Sequence, residues 1–204
     1  MLISQGKYIK PSKDARILAI LESLSRDSGL SQYELGKQLS LSGAMINQHL
    51  RTLQEQKLVT FQPVNGKSYR YELTESGKAS RERMFAAYSS ETIRLYTKVK
   101  RFIQERLSGL EVEGKHRLAL FGASETCEVV LSALVECEHQ IVALVDNDPQ
   151  KHGCIFHGHV ICSPVVLEQV ELDAVVITSF GKQNEIYSQL LPLSERKGFD
   201  IVRI

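Results

Sequence analysis

Residues 119–128, Ala-Leu-Phe-Gly-Ala-Ser-Glu-Thr-Cys-Glu, join an apolar run to one glycine and the polar start of a helix. That order suits anion chemistry, because the unpaired amide N–H groups at a helix N-terminus favour a phosphate. Gly122, Ala123, Ser124, Glu125 and Thr126 are the candidate phosphate-side residues, and Ser179, closing a later apolar run, joins them. In the phosphate-cradling pattern G-x-G-x-x-G, Ser124 stands at the second glycine and Cys127 at the third. The serine narrows the backbone approach but adds a hydroxyl donor. About 20 residues on, Asp146 ends a second apolar run, where a carboxylate can accept hydrogen bonds from ribose hydroxyls. A second group, Ala44, Asn47, Gln48 and Arg51, has the small, amide and guanidinium side chains that contact base edges and phosphates. A third, His152, Cys154, His157, His159 and Cys162, offers ligands for a borderline-soft metal, and His157 and His159 would share a strand face. Its spacing matches no standard zinc module, and no metal is assigned.

The elements that must position these groups fall into two parts of opposite charge. Up to His116 there are 19 Lys and Arg against 12 Asp and Glu, a balance of +7; the remainder carries 6 against 12, a balance of −6. A basic front half suits a polyanion. In it, Ser12 caps a helix with Ile17, Leu18, Leu21 and Leu24 on one face. Ser31 and Glu34 form a capping box ahead of Leu35 and Leu39, and Gly36 permits close approach of another helix. Ser42 caps a third helix. Its Ile46, Leu50 and Leu53 face inward, so Ala44, Asn47, Gln48 and Arg51 face outward. His49 either packs or reaches a phosphate. A β-hairpin follows, with Asn65-Gly66 as a type I′ turn, Tyr69, Tyr71 and Leu73 on one face, and Lys67 and Arg70 near the tip.

Helix, helix, recognition helix and basic hairpin, in that order, resemble the winged helix-turn-helix of MarR-like bacterial repressors across residues 12–84. The resemblance is carried by LSQYELGKQLSLSGAMINQHLRTLQEQKLV, and departs at Lys57, where the family often has glycine. It implies double-stranded DNA as partner, with Ser42, Ala44, Asn47, Gln48, Arg51, Lys67 and Arg70 at the interface.

From Thr74 to Gly109 the pattern is helical, with a break expected near Ser89-Ser90. The second piece sets Ile93, Tyr96, Val99, Ile103, Leu107 and Leu110 at spacings of three and four. That stripe is covered either by the chain's own domains or by the same helix of a second subunit, and we expect a homodimer through residues 90–110.

The acidic half alternates strands and helices. RLALF, QIVALVD, HVIC, DAVVITS and FDIVRI are the strands, and SETCEVVLSALVE and NEIYSQLLPL the helices. That alternation predicts a Rossmann-like parallel sheet with flanking helices. The expected architecture is α/β overall: a winged helix-turn-helix at 1–88, a linker helix at 89–114 and the Rossmann-like domain at 115–204. Together with Gly122, the segment VDNDPQKHGCIFHGHVICSP resembles two groups across residues 117–180. They are the redox-sensing repressor family Rex, a winged helix fused to an NADH-binding domain, and the nucleotide-binding domain of polysaccharide-biosynthesis proteins that handle nucleotide sugars. The resemblance reaches Gly122, Ser124 and Asp146, and implies NAD(H) or a nucleotide sugar as effector.

No Walker loop, G-x-S-x-G elbow or H-E-x-x-H helix is present, and fewer than about 100 residues of α/β domain leave no second wall for a substrate. We therefore expect no enzyme, no membrane span and a cytoplasmic protein whose four cysteines stay reduced. The expectation is a transcriptional regulator whose operator binding follows a nucleotide-type metabolite. The alternative is a nucleotide-binding assembly protein without an operator.

Overall fold

The computed structural model describes residues 10–65, 68–135 and 137–204. The chain divides into two compact units, one ending at Arg94 and the other running Leu95–Ile204.

The first unit holds α1 (Lys13–Arg26), α2 (Gln32–Leu39), α3 (Gly43–Glu55) and the antiparallel pair β1 (Val59–Asn65) and β2 (Ser68–Leu73). Its helices start where oxygen-bearing side chains take up free amides. Ser12 Oγ accepts from the Ala15 N–H, Ser42 Oγ from the Met45 N–H, and Ser31 and Glu34 form the reciprocal capping box. Ile17, Leu21, Leu35, Leu39, Ile46, Leu50, Leu53 and Val59 close one core around Tyr71. Tyr71 is buried; its hydroxyl accepts from Gln32 Nε2 at 3.0 Å and its ring meets Phe61 edge-on at 4.9 Å. Gly36 lies against the α2–α3 turn, where a Cβ would meet the Leu41 carbonyl at 2.9 Å. After α3 the chain reverses at Lys57, whose φ of 58° is left-handed, and the Leu58 N–H returns to the Leu53 carbonyl. The Asn65-Gly66 turn lies partly outside the described residues.

A single helix, α4, spans Glu75–Val112. The break expected at Ser89-Ser90 is absent: a serine can open a helix, but mid-helix it does not stop one. The linker helix expected at 89–114 is therefore the later part of α4, which ends short of Gly114, the next residue with positive φ. At its start, Thr74 Oγ1 accepts from the Gly77 N–H and donates to the Lys57 carbonyl.

The second unit adds β3 (Arg117–Phe121), α5 (Glu125–Leu134), β4 (Gln140–Val145), β5 (Ile155–Phe156), β6 (His159–Cys162), β7 (Ala174–Ile177), α6 (Gln183–Lys197) and β8 (Asp200–Arg203). The strand order is β5-β6-β4-β3-β7-β8, parallel except at β5, which pairs antiparallel with β6. The inner strands β3, β4 and β7 are almost wholly apolar because both faces are covered. Leu118, Leu120 and Val176 pack with Ile103, Leu107 and Leu110 of α4 and Val130 of α5; Ala119, Phe121 and Ile177 pack with Ile186 and Leu190 of α6. The chain builds outward from β3 through β4 and β6, then crosses back to place β7 on the other flank of β3, so the order reverses beside β3. Among the described residues no helix is long and apolar enough to cross a membrane.

Candidate nucleic-acid interface and anion pocket

The burial of Ile46, Leu50 and Leu53 fixes what α3 presents. Ala44, Gln48 and Arg51 are exposed and Asn47 is half-buried. Ser42 is committed to the cap, its hydroxyl accepting at 3.3 Å. His49 packs: it is buried, and burial, reinforced by the charges of Arg16 and Lys13, holds its imidazole below the ordinary range. Arg70 is exposed on β2 opposite Gln62, and Lys67 lies outside the described residues.

In the second unit the reversal beside β3 leaves a cavity of about 110 Å³ at the carboxyl ends of the strands, lined by Gly122, Ser124, Asp146, Lys151, Ser179 and Lys182 among others. Crevices at such reversals are where open α/β sheets take ligands. Four of the sequence candidates meet here: Gly122, Ser124, Asp146 and Ser179. Ala123 sits beside it through its amide, whereas Glu125 and Thr126 belong to the first turn of α5 and do not line it. Gly122 must be glycine, for its φ is 111° and a Cβ would meet that of Ser179 at 3.2 Å.

Much of the turn's hydrogen bonding is internal. The Gly122 N–H donates to the Val145 carbonyl, and the Ala123 N–H to Asp146 Oδ2 at 2.8 Å. Asp146 also accepts from the Asp148 N–H at 2.9 Å and from Lys151 Nζ at 2.9 Å. Burial alone would raise this carboxyl, but the Asp148 amide, Lys151 and the Ala123 amide together hold it below its ordinary value. A ribose hydroxyl would therefore meet an acceptor already served by three donors. Ser124 stands at the N-cap of α5 yet caps nothing; its hydroxyl donates to the Thr178 carbonyl at 2.9 Å.

Lys151 and Lys182, absent from the sequence candidates, supply the pocket's positive charge. Lys151 comes back to Asp146 because Pro149 starts a single 3-10 turn, so an aspartate followed five residues later by lysine across a proline was the available sign. The histidine and cysteine group disperses. His157 occupies the β5–β6 turn with φ 48°, not a strand face shared with His159, and His152 Nε2 is bound to the Asp146 carbonyl at 2.8 Å. Among the described residues, no three His, Cys, Asp or Glu side chains converge as metal ligands.

Residues 13–60 match the family model described as winged helix-turn-helix DNA-binding. The first unit is a winged helix-turn-helix. Residues 114–198 match a second model, described as C2185-like, N-terminal. No curated protein matches the chain. Among solved structures, the chain is similar to a MarR family protein of Mycobacterium tuberculosis in complex with salicylic acid, at 24% identity over 50% of this chain and 77% of that one, TM-score 0.36. It is similar also to a MarR family transcriptional regulator from Silicibacter pomeroyi, at 26% identity over 41% and 57%, TM-score 0.36. The adhesin competence repressor of Streptococcus pyogenes matches at 24% over 41% and 63%, TM-score 0.35. The chain spans less than two thirds of the length of the latter two. In the winged helix, α3 occupies the recognition position and the β1–β2 hairpin the wing.

In the second unit, Asp146 ties the turn after β3 to the segment after β4, so it carries stability whatever the pocket holds. Asp146→Asn is expected to lower stability by about 1–3 kcal/mol in urea titration at pH 7, because buried donors lose their charged acceptor. Since the folded carboxyl lies below its unfolded value, that contribution is present above the unfolded value and disappears as pH falls through the folded one. The deficit of the variant should accordingly shrink in acid.

Proposed function

We propose that this chain is a MarR-like transcriptional regulator that binds an operator as a homodimer and changes its affinity when a nucleotide-type metabolite, NAD(H) or a nucleotide sugar, occupies a Rossmann-type second unit. The observation that carries the reading is the outward face of α3: Ala44, Gln48 and Arg51 are exposed, with Asn47 half-buried beside them, on a helix of a winged helix-turn-helix. The +7 balance up to His116 supplies the attraction for phosphate. Dimerisation is supported by α4, where Tyr96, Val99 and Phe102, each three residues after the last, and Leu95 beside Tyr96 leave 37–49% of their surface exposed. Ile103, Leu107 and Leu110, from the same sequence stripe, are covered by the chain's own core. Two copies would present two α3 helices to the halves of a symmetric operator.

The effector reading rests on the strand-order reversal, Gly122 and the lysine-lined cavity. A cavity of about 110 Å³ receives a phosphate-sized group; a ribose beside Asp146 would first displace Lys151. To regulate, the effector must contact two states of the dimer unequally.

Selection from a random duplex library, followed by affinity measurements across salt, tests the operator. A two-fold symmetric motif and a steep fall of log affinity with log salt are expected. Failure to enrich any sequence, with a flat salt response, would leave an assembly protein. A thermal-shift panel of NAD(H), nucleotide sugars and coenzyme A tests the effector separately, and no shift at millimolar concentration would discard it.

A further inference from the structure

The polar groups that reach the cavity from the ends of β3 and β4 are already bound. The Gly122 N–H donates to the Val145 carbonyl at 2.8 Å and the Ser124 hydroxyl to the Thr178 carbonyl at 2.9 Å. Asp146 and Lys151 neutralise one another, the ammonium donating also to the Ala123 carbonyl at 2.9 Å. Asn147 is locked amide to amide with Gln189 of α6, at 2.9 and 3.1 Å. The turn after β3 is also short of room. In a phosphate-cradling turn a glycine lets the ligand approach the backbone, but the space beside Gly122 belongs to Ser179, whose Cβ lies 3.2 Å from where a Gly122 Cβ would stand.

The β7–α6 connection lines the remainder of the cavity and is unlike the turn. Ser179 is half-buried and Lys182 exposed, and neither side chain makes a hydrogen bond or ion pair among the described residues. Of the two ammonium groups and one carboxylate that line the cavity, Lys182 is therefore the charge left without a counter-ion. An ammonium has three N–H donors, so Lys151, with two engaged, keeps one to spare. Donors on three side chains around one unmatched positive charge suit an anion with three oxygens on one centre. A cavity of about 110 Å³ is well below the roughly 300–1,000 Å³ that enclose a whole drug-sized ligand, so one such group enters and the rest of its molecule faces solvent.

We propose that the cavity recognises a phosphate group by itself: Lys182 and Ser179 grip it from the β7–α6 connection, the spare N–H of Lys151 completes the set, and no ribose is held. Resting on the effector reading above, this grip narrows the ligand to a phosphate ester, with or without a ribose. Gly122 then serves to admit Ser179, and Asp146 to hold Lys151 and the turn in place.

Amide NMR of the full chain, titrated at constant ionic strength with inorganic phosphate, glucose 1-phosphate and AMP, and with acetate as the control for charge alone, tests the grip. The three phosphate probes are expected to shift the amides of residues 179–184, and inorganic phosphate to compete with AMP. Lys182→Gln, at an exposed position, should weaken each of them about tenfold or more with its melting temperature unchanged. Undiminished binding by that variant, or acetate moving the same amides with equal affinity, would overturn the proposal. Binding of AMP without the two ribose-free probes would overturn it too, while leaving the effector reading to stand through the ribose. If none of the three shifts an amide at millimolar concentration the grip is lost, and the thermal-shift panel decides separately whether the effector reading goes with it.

Discussion

Arg51→Ala is expected to weaken binding to a selected duplex by about 1–3 kcal/mol, roughly five- to 150-fold, while leaving the melting temperature unchanged. The two halves of that expectation have separate causes. Arg51 lies on the exposed side of α3, one residue beyond the buried Leu50 and clear of the core, so its removal leaves no cavity and no unpaired buried group. If the guanidinium meets a guanine edge, its loss should also relax preference at one base position. If it meets a phosphate, binding should weaken across all sequences and the salt slope drop by about one. Affinity within twofold of the unsubstituted protein, in a titration at fixed salt, would remove Arg51 from the interface. Ala44 and Gln48 would then be the remaining exposed candidates on that face.

Gly77→Ala is expected to be the most damaging single change in the first unit. A Cβ there would lie 2.0 Å from the Leu58 carbonyl oxygen and 3.2 Å from Leu73 Cδ2. The obstacle is backbone, held by Thr74, whose N–H binds the Leu58 carbonyl and whose hydroxyl binds that of Lys57, so no rotamer change can relieve it. Overpacking of this kind costs about 3 kcal/mol or more, which for a unit of this size lowers Tm by more than about 10 °C. Calorimetry on the full chain should show the loss in one transition and spare the other if the units melt separately. A Tm within 2 °C of the parent would mean that the start of α4 is free to move away from β1.

The contrast between Gly77 and Ser31 shows how much of the fold was legible in the sequence. Caps and apolar spacing are local, and Ser12, Ser31, Glu34 and Ser42 do in the structure what their positions imply. The close approach at Gly77 depends on the path of Leu58, nineteen residues earlier, and nothing nearby in sequence announces it. The same distinction divides the candidate pocket. Gly122 and Asp146 followed from strand ends and spacing, while Lys182 enters from the loop after β7 and was not foreseen. That the Asp146 carboxylate is filled by Ala123, Asp148 and Lys151 could be read only from the folded turn. In α4 the local signal misleads: Ser89-Ser90 offers a cap, but no glycine or proline stands beside it to end the helix, which runs on unbroken.

Lys57 adds a practical corollary. A side chain held at φ 58° is strained by about 1–2 kcal/mol relative to glycine, and the residue contributes to its surroundings through its backbone, whose carbonyl receives Thr74 and Ser76. The winged helix thus keeps an unused margin at one surface position. Claiming it with a glycine would give a sturdier host in which damaging interface and pocket variants stay folded long enough to be measured.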